Sequence, residues 1–216
     1  MSVDAVVFDL DGVIVQSEEI WDEVREGYVR SRGGRYDAEA QPAMMGMSST
    51  EWSRFIHDEL GVSASPAEIN AGVVELMEAR YRVRLPLIEG AREAVERMAA
   101  VVPLGLASSS NRPLIDVVLE LADLSELFRA TVSSEEVARG KPAPDVYLEA
   151  ARRLGVEPAS CVAVEDSRNG LRSAKAAGMR VVAIPNPGYP PDAAALAEAD
   201  VVLRSIAELA PAAIVP

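Results

Sequence analysis

The feature that most restricts this chain is its opening stretch, VDAVVFDLDG, residues 3–12. Val6, Val7 and Phe8 form an apolar run without alternation, rich in β-branched and aromatic residues. That composition predicts a strand buried on both faces. The run delivers Asp9 and Asp11 at its carboxyl end, with Gly12 after them. Two carboxylates at the end of a buried strand are costly unless something compensates them. A hard divalent cation would do so, and Mg2+ is the natural partner of oxygen ligands. Gly12 lets the backbone turn sharply and keeps a side chain out of a crowded place. The plain alternative is a strand running into a polar turn, since Asp and Gly are common turn residues.

The next strand candidate does not come until Val101. Ser17 is expected to cap a helix whose first turn holds Glu18 and Glu19, with Ile20, Val24 and Tyr28 on one face. Residues 31–37 and 44–49 are breaks. Ser49 is expected to cap a second helix ending at Gly61, with Trp52, Phe55, Ile56 and Leu60 as its apolar stripe. Pro66 opens a third helix carrying Ile69, Val73, Leu76, Met77 and Tyr81. An ordinary connection between a strand and a helix is far shorter than this. Residues 16–82 therefore read as a helical domain inserted after the first strand, with hinges near 14–18 and 82–88. From residue 85 onward, apolar strand candidates alternate with helices of ten or more residues. The fold class expected is α/β: a Rossmann-like, mostly parallel sheet with helices on both faces, formed by residues 1–15 and 83–216.

A formal net charge of -13, from 34 acidic and 21 basic residues, disfavours a nucleic-acid partner. A small anionic substrate stays compatible, because a bound metal and one or two basic residues reverse the local sign. Cys161, in the apolar run CVAV, is the only cysteine and reads as a buried, inert thiol. His57, the only histidine, has no cysteine or second histidine near it and reads as structural. No charged start precedes an apolar segment, and no apolar run reaches the length of a membrane span. A cytoplasmic protein is expected, a monomer with a dimer as the alternative.

In a doubly wound sheet the ligand site lies beyond the carboxyl ends of the strands. Four polar clusters fall there: Asp9 and Asp11; Ser108, Ser109, Ser110 and Asn111; Lys141 in a Gly-Lys-Pro turn; and Glu165 and Asp166 after CVAV. Each alone would pass for a polar loop. Together they hold the inventory of phosphoryl transfer, which needs a nucleophile, charge neutralisation and in-line geometry. Asp9 is the expected nucleophile. Asp11 is the expected acid and base. Asp9, Asp11, Glu165 and Asp166 are the expected metal ligands, Ser108 the hydroxyl donor to a phosphoryl oxygen, and Lys141 the balancing cation. No phosphate-binding loop of the Gly-x-x-x-x-Gly-Lys-Ser type and no dinucleotide fingerprint is present. No Ser nucleophile elbow with a usable His occurs either.

With those residues in place, the sequence resembles the haloacid dehalogenase-like hydrolase superfamily over nearly its whole length. It is most similar to the subgroup with a small helical cap that includes sugar-phosphate phosphatases and beta-phosphoglucomutase. The motifs are FDLDGVI, LASSSNR, GKPAPDVY and VEDSRNG, in order, and the cap loop GMSSTEW resembles the family's specificity loop. The resemblance implies Mg2+ and an aspartyl-phosphate on Asp9, formed from a small phosphorylated metabolite. Asp11 separates the chain from the dehalogenases proper, and the absence of lysine from residues 16–82 separates it from the phosphonate-cleaving branch. A phosphomutase is the alternative. That branch carries a cap histidine and a cap arginine where this chain has Trp21 and Ser49, with Arg54 or Arg80 as the conceivable replacements. SEEIW is similar to the opening of sugar-phosphate phosphatases, and Gln16 stands where many members have aspartate. Specificity is expected from Trp21, Ser49, Thr50 and Trp52 of the cap and from Ser109 and Asn111 of the core rim.

Overall fold

A computed structural model describes residues 3–44 and 47–214. Met45 and Gly46, which belong to the second break and the cap loop read from the sequence, lie outside the described residues. The chain opens with β1 (Ala5–Phe8) and continues through helices α1 (Glu18–Ser31), α2 (Ala40–Met44), α3 (Ser49–Asp58) and α4 (Pro66–Val83). Then come α5 (Ala91–Ala99), β2 (Leu104–Ser108), α6 (Arg112–Leu121), β3 (Phe128–Ser133) and α7 (Asp145–Leu154). The remainder is β4 (Cys161–Glu165), α8 (Arg168–Ala176), β5 (Arg180–Ala183), α9 (Ala193–Leu196), β6 (Val201–Val202) and α10 (Pro211–Ile214).

Among the described residues the strands form one sheet in the order β3-β2-β1-β4-β5-β6, and every pairing is parallel. The fold is Rossmann-like, with a helical segment inserted after β1. β1 lies between β2 and β4, and its four residues are all fully buried. Alternation of side chains across a strand sends Val6 and Phe8 into one apolar core and Ala5 and Val7 into the other. That is why the run carries no polar residue: neither face meets water. Each of its larger side chains contributes about 1.5–3 kcal/mol of burial.

The inserted helices bury Val24, Tyr28, Ile56, Ile69, Val73, Met77 and Tyr81 in an apolar cluster continuous with that of Val6 and Phe8. α4 packs on α1 and α3 and also on α6 of the sheet domain. The segments entering and leaving the insertion lie antiparallel: the Gln16 N–H donates to the Pro86 carbonyl at 2.8 Å and the Ile88 N–H to the Ile14 carbonyl at 2.9 Å. Any hinge motion thus runs through a short paired ribbon. No helix among the described residues is long and apolar enough to cross a membrane.

Three local readings differ. Ser17 precedes α1, but its hydroxyl makes no capping bond; Asp11 takes it instead. The cap of α3 is Ser48, in a capping box with Glu51, so Ser49 is the first helical residue and its side chain is free to reach the sheet domain. Leu76 is 44% exposed and stands apart from the buried stripe of α4. His57 Nδ1 lies 3.0 Å from the carbonyls of both Val62 and Ala64, pinning the turn after α3. Cys161 is buried, and burial pushes its thiol up to about 11.

Candidate active site

The strand order reverses at β1: the chain passes to β2 and β3 on one side and to β4, β5 and β6 on the other. A crevice beyond the strand ends forms at such a switch point. Asp9 leaves β1 there, its N–H donating to the Val164 carbonyl of β4 at 2.9 Å. Asp166 leaves β4 beside it, and Ser108 ends β2.

Lys141 joins the first cluster. Its ammonium donates to Asp9 Oδ1 at 2.7 Å and to Glu165 Oε1 at 2.5 Å, with all three side chains buried. The Tyr147 hydroxyl, from α7, donates to the same Glu165 oxygen at 2.8 Å. Burial pulls Lys141 down, but Asp9 and Glu165 outweigh it and hold the ammonium above its ordinary value. Burial pushes Asp9 up against the pull of Lys141, with Glu165 and Asp11 adding to the rise. Burial does the same to Asp166, reinforced by Glu165 and Asp9.

Asp9, Glu165 and Asp166 present oxygens within 4.8 Å of one another. Their hydrogen bonds separate them. Glu165 Oε2 accepts from the backbone N–H groups of Asp166 and Ser167 at 3.1 and 3.2 Å and from the Ser167 hydroxyl at 3.2 Å. Both Glu165 oxygens are therefore engaged. Asp9 Oδ2 and the Asp166 carboxylate receive no hydrogen bond among the described residues. Hard oxygens of this kind fit a divalent cation: Asp9 and Asp166 could ligate it, and Glu165 could ligate it or hold them in place. Two glycines permit the packing. A Cβ on Gly12, which has φ +79°, would lie 1.8 Å from Asp166 Oδ2, and one on Gly170 would lie 1.8 Å from Glu165 Oε1.

Asp11 stands outside this ligand set. Its Oδ1 accepts from the Ser17 hydroxyl at 2.5 Å and its Oδ2 from the Ser110 hydroxyl at 2.6 Å. The Ser108 hydroxyl is farther, at 3.5 Å from Asp11, and accepts from the Ser110 N–H at 2.9 Å. Ser108 is fully buried, while Ser109, Ser110 and Asn111 line the cavity with Asp9, Asp11, Lys141 and Asp166.

The inserted helices supply the opposite wall. Trp21 and Trp52 line the cavity, with ring centroids 6.0 Å apart, whereas Thr50 is exposed and absent from the lining. Ser49 reaches across instead: its hydroxyl donates to Glu135 Oε1 at 3.2 Å, an atom that also accepts from Asn111 Nδ2 at 2.6 Å. Asn111 Nδ2 donates to Asn70 Oδ1 of α4 as well, at 3.1 Å. Glu135 thus fastens the inserted helices to the core rim. Gln16 Oε1 accepts from Asn186 Nδ2 at 3.4 Å, and Asn186 lines the cavity.

Sequence reasoning missed Arg25, Glu135, Tyr147 and Gly170, and it named Ser17 only as a helix cap and Ser110 only as part of the strand-end cluster. Arg25 carried one signal: it lies one helical turn after Trp21, on the same face. The others meet the site only through tertiary contacts.

Comparison with known proteins agrees with this geometry. A family model described as haloacid dehalogenase-like hydrolase matches residues 3–178. Hexitol phosphatase B of Escherichia coli K12 is 33% identical over 217 residues, covering 95% of this chain and 93% of that protein. A bifunctional riboflavin kinase/FMN phosphatase of Arabidopsis thaliana is 30% identical over 206 residues, but the chain, 94% covered, spans only 54% of that longer protein. The crystal structure of CbbY from Rhodobacter sphaeroides in complex with phosphate superposes with a TM-score of 0.87 at 27% identity, covering 98% of this chain and 99% of that one.

Proposed function

This chain belongs to the haloacid dehalogenase-like hydrolases, and on that premise we propose that it is a Mg2+-dependent phosphatase of a small phosphorylated metabolite, a sugar phosphate. The observation that carries the reading is the state of Asp9. At the switch point Asp9 lines the cavity, Lys141 holds one of its oxygens, and the other has no donor among the described residues. A carboxylate so oriented is a competent nucleophile toward phosphorus.

In this mechanism Asp9 attacks the phosphoryl group, the bond from phosphorus to the leaving oxygen breaks, and an aspartyl-phosphate forms. Asp11, steadied by the Ser17 and Ser110 hydroxyls, gives the leaving oxygen its proton. Asp11 then takes a proton from water as that water attacks phosphorus, which releases inorganic phosphate and restores Asp9. Lys141 keeps Asp9 oriented and balances its charge. Asp9 and Asp166 would hold Mg2+, which when bound supplies Lewis-acid neutralisation of the phosphoryl oxygens. Ser109 offers its hydroxyl on the rim, while the side-chain donors of Ser110 and Asn111 are engaged by Asp11 and by Glu135 and Asn70.

We take residues 16–82 as a cap on a core of 1–15 and 83–216. The cap swings on the paired ribbon at 14–16 and 86–88 and excludes bulk water when closed. The name of hexitol phosphatase B supports a polyol or sugar phosphate as substrate. Arg54 and Arg80, the replacements a mutase would call on, are exposed, and Arg80 pairs with Glu23 at 2.6 Å.

The test is phosphate release from a panel of sugar and polyol phosphates, with Mg2+ and with EDTA. Metal-dependent release is expected. Isomer formation without net release would favour the mutase, and no release from any member would refute the hydrolase reading.

A further inference from the structure

Among the described residues two basic side chains line the cavity, Lys141 and Arg25. Lys141 is neutralised by Asp9 and Glu165. Arg25 is not neutralised. It is only 6% exposed, yet its guanidinium makes no hydrogen bond and no ion pair among the described residues, and its Nε is fully buried without a partner. It sits in the corner of the two cavity tryptophans, 4.4 Å from the Trp21 ring centroid and 4.9 Å from that of Trp52.

The indoles favour a cation there, but they leave the buried Nε–H unsatisfied and accept nothing from the other guanidinium donors. An apolar side chain would pack against both rings without that cost, so packing alone does not account for an arginine. Glu18, Asp11 and Asp22 contribute to its field, but none approaches within ion-pairing distance, and Glu18 is itself pushed up by burial and by Asp11. Burial pulls Arg25 down to about 10, which leaves it charged at neutral pH. The site is therefore a fixed, stacked, uncompensated cation on the wall facing Asp9. A hydroxyl would satisfy some donors but leave the charge. A planar or tetrahedral oxyanion satisfies both, and it does so with the fork geometry that arginine provides.

We infer that Arg25 is a specificity-determining residue that receives a second anionic group, a carboxylate or a second phosphate, at the end of the substrate away from the phosphoryl group. The inference rests on the phosphatase reading for where that phosphoryl group sits. It narrows the substrate class from sugar phosphates in general to those bearing another anion. The tryptophans give the anion an apolar wall that strengthens its attraction to the guanidinium. A neutral polyol in the same place would leave the buried charge unpaired, which is how a site rejects a ligand lacking a group it was built to hold.

Two matched pairs of probes read the inference. Gluconate 6-phosphate and glucitol 6-phosphate differ only by a carboxylate in place of a hydroxymethyl group. Fructose 1,6-bisphosphate and fructose 6-phosphate differ by a phosphate. Binding is measured by calorimetry on the full-length Asp9→Asn protein with Mg2+, alone and combined with Arg25→Gln, and kcat and KM are measured on protein retaining Asp9. With Arg25 present, the anionic member of at least one pair should bind about tenfold or more tightly than its neutral partner. Arg25→Gln should bring that ratio to within about threefold of unity, chiefly through KM. Arg25→Met, which keeps the stacking without the charge, replaces Arg25→Gln if the latter fails to fold. No preference for the anion in either pair, or a preference that survives loss of the charge, overturns the inference, and so does the absence of binding by all four probes. Anion-selective binding with no phosphate release would sustain the inference and refute the hydrolase reading; release without selectivity would do the reverse.

Discussion

Lys141→Met isolates the electrostatic centre of the site. The lysine side chain is 4% exposed, and it is the only side-chain donor to Asp9 among the described residues. Glu165 is better protected, because it keeps the Tyr147 hydroxyl and three donors on its other oxygen. The cost of the substitution should therefore fall mostly on Asp9, and breaking one partner out of a buried pair costs about 3–5 kcal/mol. Asp9→Asn in the same background removes the stranded charge and should return about 1–3 kcal/mol of that loss as a coupling energy. The pH dependence follows from the direction of the Asp9 shift. Its carboxyl is raised above the unfolded value of 3.8 even with Lys141 present, and rises further without it. A raised carboxyl contributes its full stability below the unfolded pKa and loses it as pH climbs through the folded one. With Lys141 present that carboxyl sits at about 8, so the deficit of Lys141→Met should be small near about pH 5 and should open only as pH climbs past that value, toward about pH 9.5. Urea unfolding in EDTA at both pH values, on the single and double variants, measures this. A deficit below about 1 kcal/mol at high pH, a deficit independent of pH, or additive single effects would refute the reasoning.

Two further outcomes follow from the same geometry. Gly170→Ala should be destabilising by about 1–3 kcal/mol and should cut kcat at least about tenfold, because its Cβ displaces a Glu165 carboxylate that has no room to move. Gly27→Ala, whose Cβ meets nothing within 4 Å on the exposed face of α1, should instead stabilise by about 0.5–1 kcal/mol; equal effects from the two would remove the steric argument. In metal-free wild-type protein, Asp9 and Asp166 are both raised, so the melting temperature should fall as pH rises above the ordinary carboxylate range. Mg2+ at one fixed concentration, about a hundred times its dissociation constant at pH 8, should restore about 2.7 kcal/mol there and less at pH 5; an equal gain at both would contradict the assignment of these two ligands.

Asp9, Lys141, Glu165 and Asp166 were legible because each follows an apolar run or sits in a turn, and parallel strands bring such ends to one rim. The inserted helices were legible from the absence of a strand candidate between Phe8 and Val101. What local pattern could not show was which hydroxyl serves which carboxylate. Ser17 has the residue type and position of a helix cap, yet Asp11 lies close enough to take its proton donor. Ser49 looked like a cap because the true cap, Ser48, is its neighbour, and a shift of one residue turned its side chain to Glu135. Arg25 carries no local signature beyond its place one helical turn after Trp21. Half of its setting comes from Trp52, on a helix that only the folded insertion brings beside α1. The near contacts of Gly12 and Gly170 likewise exist only in three dimensions.

The central claim is that Asp9 carries the phosphoryl group while Asp11 moves the proton. Rapid-quench mass spectrometry of the enzyme turning over p-nitrophenyl phosphate and the best sugar phosphate at saturating Mg2+ tests it most directly. Phosphate should be found on Asp9 in the wild type and should accumulate in Asp11→Asn when the leaving group is p-nitrophenolate, because the second step lacks its base. Asp9→Asn should show no covalent phosphate with either substrate. Phosphate on Asp11, or a phosphorylated Asp9→Asn protein alongside an unlabelled Asp11→Asn protein, would reverse the two roles and contradict the account.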